Sequence, residues 1–266
     1  MPRFYADTDL MDGQVLELPP WTARHVQVLR LQPGQHITVF NGQPNAQGVE
    51  GEHSATILQM GRSSVRVQVG ARLNTPQHPA CDVHLALGMP ANERMDWLIE
   101  KATELGVASI QPLMTERSVL RLHGERSEKK REHWRGIAIA ACEQCGSNRV
   151  PVIHPVLFLQ DWLPSLLPAT LPLPSPLPSR RAMLSLNATT CFVNDFLQAV
   201  TTPGVTCLLG PEGGLTAAEE TRAIHHGFEP VRLGGRVLRT ETAALTVAAQ
   251  VLCHVRPEAP PIAAFL

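Results

Sequence analysis

The chain has 266 residues, 44% of them hydrophobic, enough to bury one large core or two modest ones. A net charge of −1 excludes indiscriminate coating of nucleic acid, because nonspecific affinity grows with the number of phosphates neutralised; any RNA contact must be local. No run of about 18 uncharged apolar residues is present and the first ten residues carry no apolar leader pattern, so a soluble, cytoplasmic protein with no membrane partner is expected.

Residues 1 to about 72 read as strands and turns. Gln35 to Gly42 alternates and ends in Asn41-Gly42, a pair that tolerates positive φ and predicts a hairpin turn. From Arg62 to Val69 one strand face carries Arg62, Ser64, Arg66 and Gln68, the other Ser63, Val65, Val67 and Val69. A small, half-buried β-barrel fits, and ordinary solvation explains its arginine face as well as RNA contact does.

Past the turn-like segment 74–79 strands and helices alternate, which places a domain boundary near residue 75 and predicts an α/β domain beyond it. Val83–Leu87 is a short strand. Asn92 is the predicted N-cap of a helix carrying Met95, Leu98, Ile99, Ala102 and Leu105, stopped by Gly106, and Ser109–Met114 returns as a strand. A second helix is predicted over Glu128–Cys145, its Lys129, Lys130, Arg131 and Arg135 read as a solvated face. Cys142-x-x-Cys145 lacks a second ligand pair, and His225 and His226 are adjacent, so no metal site is predicted and the six cysteines read as reduced thiols. Six prolines between Pro164 and Pro178 predict an irregular surface loop.

The C-terminal third repeats one plan twice. The strand Val205–Leu209 runs into Gly210-Pro-Glu-Gly-Gly214 and then into Thr216-Ala-Ala-Glu219, a capping-box pattern that opens a helix. The strand Val231–Leu233 runs into Gly234–Arg239, and Thr240 opens a final helix, Glu241 to Val255. Gly213 and Gly214 serve either a sharp turn or close approach of a ligand to exposed amides. Ala244, Val247, Ala248, Val251 and Leu252 form a smooth stripe, suited to packing within the fold or across a dimer. Neither glycine segment has P-loop or dinucleotide-fingerprint spacing, and no G-x-S-x-G elbow occurs.

Leu209-Gly-Pro-Glu-Gly-Gly-Leu215 and Leu233-Gly-Gly-Arg-Val-Leu-Arg-Thr-Glu-Thr-Ala243 resemble the two signature segments of the SPOUT-class enzymes that methylate N3 of a uridine in bacterial 16S ribosomal RNA. The resemblance extends through Glu100-Lys-Ala-Thr-Glu-Leu-Gly106, Thr115-Glu-Arg-Ser-Val119, Ala141-Cys-Glu-Gln144 and Arg24-His-Val-Gln-Val-Leu-Arg30. It departs at the proline-rich stretch and around Cys145 and Ser147–Asn148. It implies a PUA-like β-barrel in residues 1–74, for docking RNA, and a SPOUT methyltransferase domain with a C-terminal trefoil knot in residues 75–266. The implied cofactor is S-adenosylmethionine, held by Leu184, Leu186, Leu209, Gly210, Pro211, Glu212, Gly214, Leu233, Gly234, Val237, Leu238 and Thr240. The implied partners are small-subunit ribosomal RNA and a second copy of the chain.

Uridine N3 carries a proton that must leave before or during attack. Arg239 is the candidate for stabilising the resulting imidate charge, and Glu241 or Glu212 for accepting the proton or orienting Arg239; both glutamates also suit helix starts. Arg3, Arg24 and Arg30 are candidate RNA contacts. Two alternatives stay open: methylation at another RNA position, and a noncatalytic RNA-binding assembly protein.

Overall fold

The structure is a computed structural model and describes residues 1–44, 50–73, 79, 81–166, 180–186, 190–200 and 204–254. The chain folds as two compact units, Met1–Gln77 with Ile139–Val150, and His78–Ala138 with Pro151–Leu266.

The first unit contains β1 (Arg3–Tyr5), β2 (Val15–Glu17), α1 (Pro20–Val28), β3 (His36–Pro44), β4 (Glu50–Met60) and β5 (Val65–Leu73). They form a five-stranded sheet in the order β1-β3-β4-β5-β2, with β1 parallel to β3 and the other pairs antiparallel. The valine alternation is used as read: Val65, Val67 and Val69 are buried while Arg66 and Gln68 are exposed. Val65 and Val67 pack with Phe4, Leu18, Ile37, Val39 and Ile57 around the inner face of α1, where Ala23 and Val26 are buried. Each fully buried aliphatic side chain contributes about 1.5–3 kcal/mol.

Two local expectations are corrected by the structure. Asn41-Gly42 is not the hairpin turn; β3 continues through it, and the register with β4 shifts between Phe40 and Pro44. Gly42 does take positive φ, 68°, so the permissive residue serves an irregularity inside the strand. Residues 1–72 are also not strands and turns alone, since α1 starts at a proline whose fixed φ suits the first helical position. The segment Ile139–Val150 joins this unit through Ile139, Cys142 and Val150, which pack with Tyr5 and Phe40.

The second unit runs β6 (Asp82–Gly88), α2 (Asn92–Leu105), β7 (Ser109–Met114), α3 (Gly124–Cys145), β8 (Val152–Ile153), β9 (Leu157–Phe158), α4 (Leu159–Ser165), β10 (Arg180–Leu184), β11 (Cys191–Phe192), α5 (Val193–Gln198), β12 (Gly204–Leu209), α6 (Ala217–His225), β13 (Glu229–Arg232) and α7 (Thr240–His254). The last residues of α3 belong with the first unit. The sheet order is β11-β13-β10-β12-β6-β7-β8, with β9 also on β7, and every pair is parallel. Parallel strands buried on both faces read as apolar runs, and all six residues of β12 are buried. This is an open α/β fold built on an all-parallel sheet.

Asn92 is the first helical residue of α2 rather than its cap; Ala91 holds the cap position, and its N–H donates to Glu212 Oε1 at 3.0 Å. A carboxylate from a distant loop thus takes a helix-start amide that a local side chain would otherwise satisfy. The α3 helix begins four residues before the expected start. It is pinned to α2 by Asp96, which accepts from Lys130 (3.0 Å), His133 (2.9 Å) and Trp134 Nε1 (2.9 Å). Pro164 lies in the last turn of α4, so the irregular loop does not begin there; residues 167–178 of that stretch lie outside the described residues. The stripe Ala244, Val247, Ala248 and Val251 is buried, and α7 packs on α2, β12 and β6 of its own unit. No helix among the described residues is long and apolar enough to cross a membrane, and no group of three metal-ligating side chains converges there.

Candidate active site

Ligands of open parallel sheets bind beyond the carboxyl ends of the strands, where the loops that follow diverge. The second unit has a cavity of about 420 Å³ at that edge, formed after β10, β12 and β13 and by the start of α7. Leu184 and Leu186 come from the end of β10, Leu209 to Gly214 from the first glycine segment, and Leu233 to Thr240 from the second. All twelve residues expected to hold the cofactor line this one cavity, together with Arg239.

The first loop is fixed by its own backbone. Gly214 N–H donates to Pro211 O at 2.8 Å, and Gly214 takes φ +70°. A Cβ on Gly210 would lie 2.6 Å from Gly214 C and 2.6 Å from Leu215 N, so glycine is required there by the fold of the loop itself. The loop ends in the expected capping box: Glu219 N–H donates to Thr216 Oγ1, and Thr216 N–H donates to Glu219 Oε2. The second segment is tied to the first at one point, where Thr240 Oγ1 donates to Gly210 O at 3.2 Å. Gly234 and Gly235 face open space.

The lining offers apolar surface and open backbone suited to a planar ligand. Leu186 is 73% and Val237 78% exposed, apolar surface of the kind a planar ligand covers. Open glycine backbone lies beside it, and the volume falls within the usual range for small-molecule sites of roughly 300–1,000 Å³.

The candidate acid–base groups divide. Arg239 is exposed, and among the described residues its guanidinium takes no partner. Glu212 and Glu241 do not pair with it; both meet Arg94. Arg94 Nη1 lies 3.2 Å from Glu212 Oε1, and Arg94 Nε 4.0 Å from Glu241 Oε1. Glu241 is buried, and its Oε2 has no hydrogen-bond partner. Arg94 itself lines the cavity and was missed from the sequence. A signal was available: it is the third residue of α2, in a first turn where a cation opposes the helix dipole, which points to a carboxylate outside the helix. Ser185, Arg232 and Arg236 also line the cavity; Arg236 lies within the second glycine segment and Ser185 between the two expected leucines, whereas Arg232 precedes the segment.

Of the arginines expected to touch RNA, Arg24 on α1 and Arg30 beyond it are exposed. Arg30 is the one non-glycine residue with positive φ among those described, at 56°. Arg3 is engaged within its unit: it pairs with Glu52, donates to Asn148 Oδ1 at 2.7 Å and to Ser147 O at 3.2 Å, and lies over the Phe40 ring.

Residues 76–252 match the RNA methyltransferase domain family. A ribosomal RNA small subunit methyltransferase E of Bacillus subtilis is 34% identical over 251 residues, spanning 92% of this chain and 93% of the relative. Its counterpart in Buchnera aphidicola subsp. Schizaphis graminum is 28% identical over 246 residues, 92% of this chain and 93% of that one. The crystal structure of a ribosomal RNA small subunit methyltransferase E from Neisseria gonorrhoeae, bound to S-adenosyl methionine, superposes with a TM-score of 0.82 at 33% identity, covering 94% of this chain and 96% of that one. A Legionella pneumophila protein in complex with the bound cofactor SAM gives 0.83 at 34% identity, with the same coverage. The chain belongs to the RNA methyltransferase domain family.

Proposed function

We propose that this protein transfers a methyl group from S-adenosylmethionine to N3 of a uridine in 16S ribosomal RNA. The observation that carries the reading is the single cavity lined by both glycine segments and the end of β10, in a chain whose structural neighbours hold that cofactor. When bound, S-adenosylmethionine supplies an electrophilic methyl group, and its carbon–sulfur bond breaks with the electron pair going to sulfur.

The protein's own residues do the rest. The leucines and the open backbone of the two loops hold and orient the cofactor, and orientation supplies much of the acceleration in an in-line displacement. Arg239, exposed and unpaired among the described residues, stabilises the negative charge that develops on the uracil imide as N3 loses its proton. Glu241 or Glu212 accepts that proton, and Arg94, between the two carboxylates, positions them. N3 lies on the pairing edge, so the target base must be unpaired or splayed from its partner.

In this reading residues 1–74 form a PUA-like barrel that docks RNA through Arg24 and Arg30, with Arg3 bracing its first strand. Residues 75–266 form a SPOUT domain whose C-terminus is knotted. The path from β13 supports the knot: α7 packs on β12 and β6, across β10 from β13, and Thr240 bonds to Gly210. We further read the protein as a cytoplasmic homodimer acting on the small ribosomal subunit. The test is to supply S-adenosylmethionine and unmodified small subunits and to identify the methylated nucleoside; methyl on another nucleoside moves the target, and cofactor binding without transfer favours an assembly role.

A further inference from the structure

A second cavity of about 300 Å³ lies in the same unit, beyond the ends of β7 and β9, and no step of the methyl transfer uses it. Its lining mixes Phe158, Arg121, Arg222, Gln160, Glu116 and Glu219 with apolar side chains. Phe158 is half-buried and has a second ring, His123, 5.9 Å away. Each arginine is anchored through part of its fork, Arg121 Nη2 to Glu116 O at 3.0 Å and Arg222 Nε to Ala218 O at 3.3 Å. That anchoring lowers the entropy lost when the remaining donors take a ligand. The Glu219 carboxylate is occupied by backbone, accepting from Glu116 N–H at 2.8 Å and Thr216 N–H at 2.9 Å.

A simple anion would use the guanidinium groups but neither the aromatic face nor the Glu116 acceptor. A nucleotide uses all three: a phosphate for the arginines, a base to stack on Phe158, and donors on the base or ribose for Glu116 and Gln160. The cavity is joined to the methyl-transfer site through the chain. Gly210 to Gly214 line the first cavity and Glu219 and Arg222, a few residues on, line the second, and Arg117 Nη1 donates to Gly213 O at 2.8 Å, tying the turn after β7 to the first glycine loop.

Resting on the reading of the first cavity as the methyl-transfer site, we infer that this second cavity binds a nucleotide flanking the target in the same RNA strand, its base on Phe158 and its phosphate on Arg121 and Arg222. Splaying the target out of its stack also strips its neighbours of stacking, and a protein ring that takes a neighbour offsets that loss.

The test uses the full-length protein, small ribosomal subunits and three variants: R121Q/R222Q, F158A and R222K. Cofactor affinity by calorimetry should stay within about twofold of the parent in all three, because none of these residues lines the first cavity. F158A should weaken subunit binding about fivefold or more, the effect expected of one lost base–aromatic stack. R121Q/R222Q should weaken it at low salt and reduce the slope of log affinity against log salt by about one to two, whereas R222K should keep most of the slope. Folded variants with parental RNA affinity and parental salt slope would overturn the inference. Failure of the underlying reading shows separately, as an unaltered protein that neither binds S-adenosylmethionine nor methylates ribosomal RNA.

Discussion

Replacing Gly210 by alanine tests whether the cofactor loop is held by backbone contact. The added Cβ would meet Gly214 C and Leu215 N at 2.6 Å and Gly214 Cα at 2.8 Å. None of these atoms is a flexible side-chain end that can swing away, and the Gly214-to-Pro211 hydrogen bond closes the turn behind them. Relief therefore requires the loop to open, at the roughly 1–3 kcal/mol typical of overpacking. For a domain of this size each kcal/mol lowers Tm by about 2–4 °C, so a fall of about 2–12 °C is expected. The displaced loop also carries Pro211, Glu212 and the Gly210 carbonyl that accepts from Thr240, so S-adenosylmethionine affinity should drop at least about tenfold, or about 1.4 kcal/mol. Gly234→Ala is the control. Its Cβ meets nothing within 4 Å, and the change should leave stability within about 0.5 kcal/mol of the parent. Thermal melts and titration calorimetry on both variants decide the matter. A Gly210→Ala protein that melts within about 1 °C of the parent and binds the cofactor as tightly would refute the reasoning.

Arg239→Ala should lower the single-turnover rate of methyl transfer roughly 100- to 1,000-fold, the usual cost of losing one charge-stabilising donor. Its cofactor affinity should stay nearly intact, and a full rate would remove Arg239 from the mechanism. Asp96→Asn should destabilise the protein by about 1.5–3 kcal/mol near neutral pH, since charged hydrogen bonds to Lys130, His133 and Trp134 are weakened. Burial pushes the Asp96 carboxyl up, but the hydrogen bonds from His133, Lys130 and Trp134 outweigh it and hold it below its usual value. Its contribution is therefore complete above the ordinary carboxylate pKa of about 3.9 and is lost as pH falls through the lower folded value. Urea melts at neutral and at acid pH should show the gap between parent and variant closing in acid. Burial pushes the Cys142 and Cys207 thiols up to about 12 and raises that of Cys81. Brief alkylation of the native protein near pH 8, read by mass spectrometry, should label exposed Cys145, Cys191 and Cys253 and spare those three.

What the sequence made legible is what local chemistry dictates. The valine alternation of β5, the Thr216–Glu219 capping box and the apolar stripe of α7 each follow from spacing within one element, and each is used as read. The two glycine segments pointed to the cavity because a strand, a glycine loop and a helix start occur twice in succession. What stayed hidden depends on partners far along the chain. Arg94 meets carboxylates more than a hundred residues away, and Ile139, Cys142 and Val150 find Tyr5 and Phe40 in the first unit although nothing in their own spacing names those partners. Asn41-Gly42 reported its backbone freedom correctly and its place wrongly, because positive φ serves a strand irregularity as readily as a turn. The second cavity draws on β7, β9, α4 and α6, four elements that no motif connects.

Methyl transfer to uridine N3 is best tested by incubating the purified protein with methyl-labelled S-adenosylmethionine and small ribosomal subunits lacking their native modification, digesting the RNA, and identifying the labelled nucleoside. Label in N3-methyluridine, lost on Arg239→Ala, is the expected result. Label in any other nucleoside, or none while the cofactor is bound, would contradict the proposed activity.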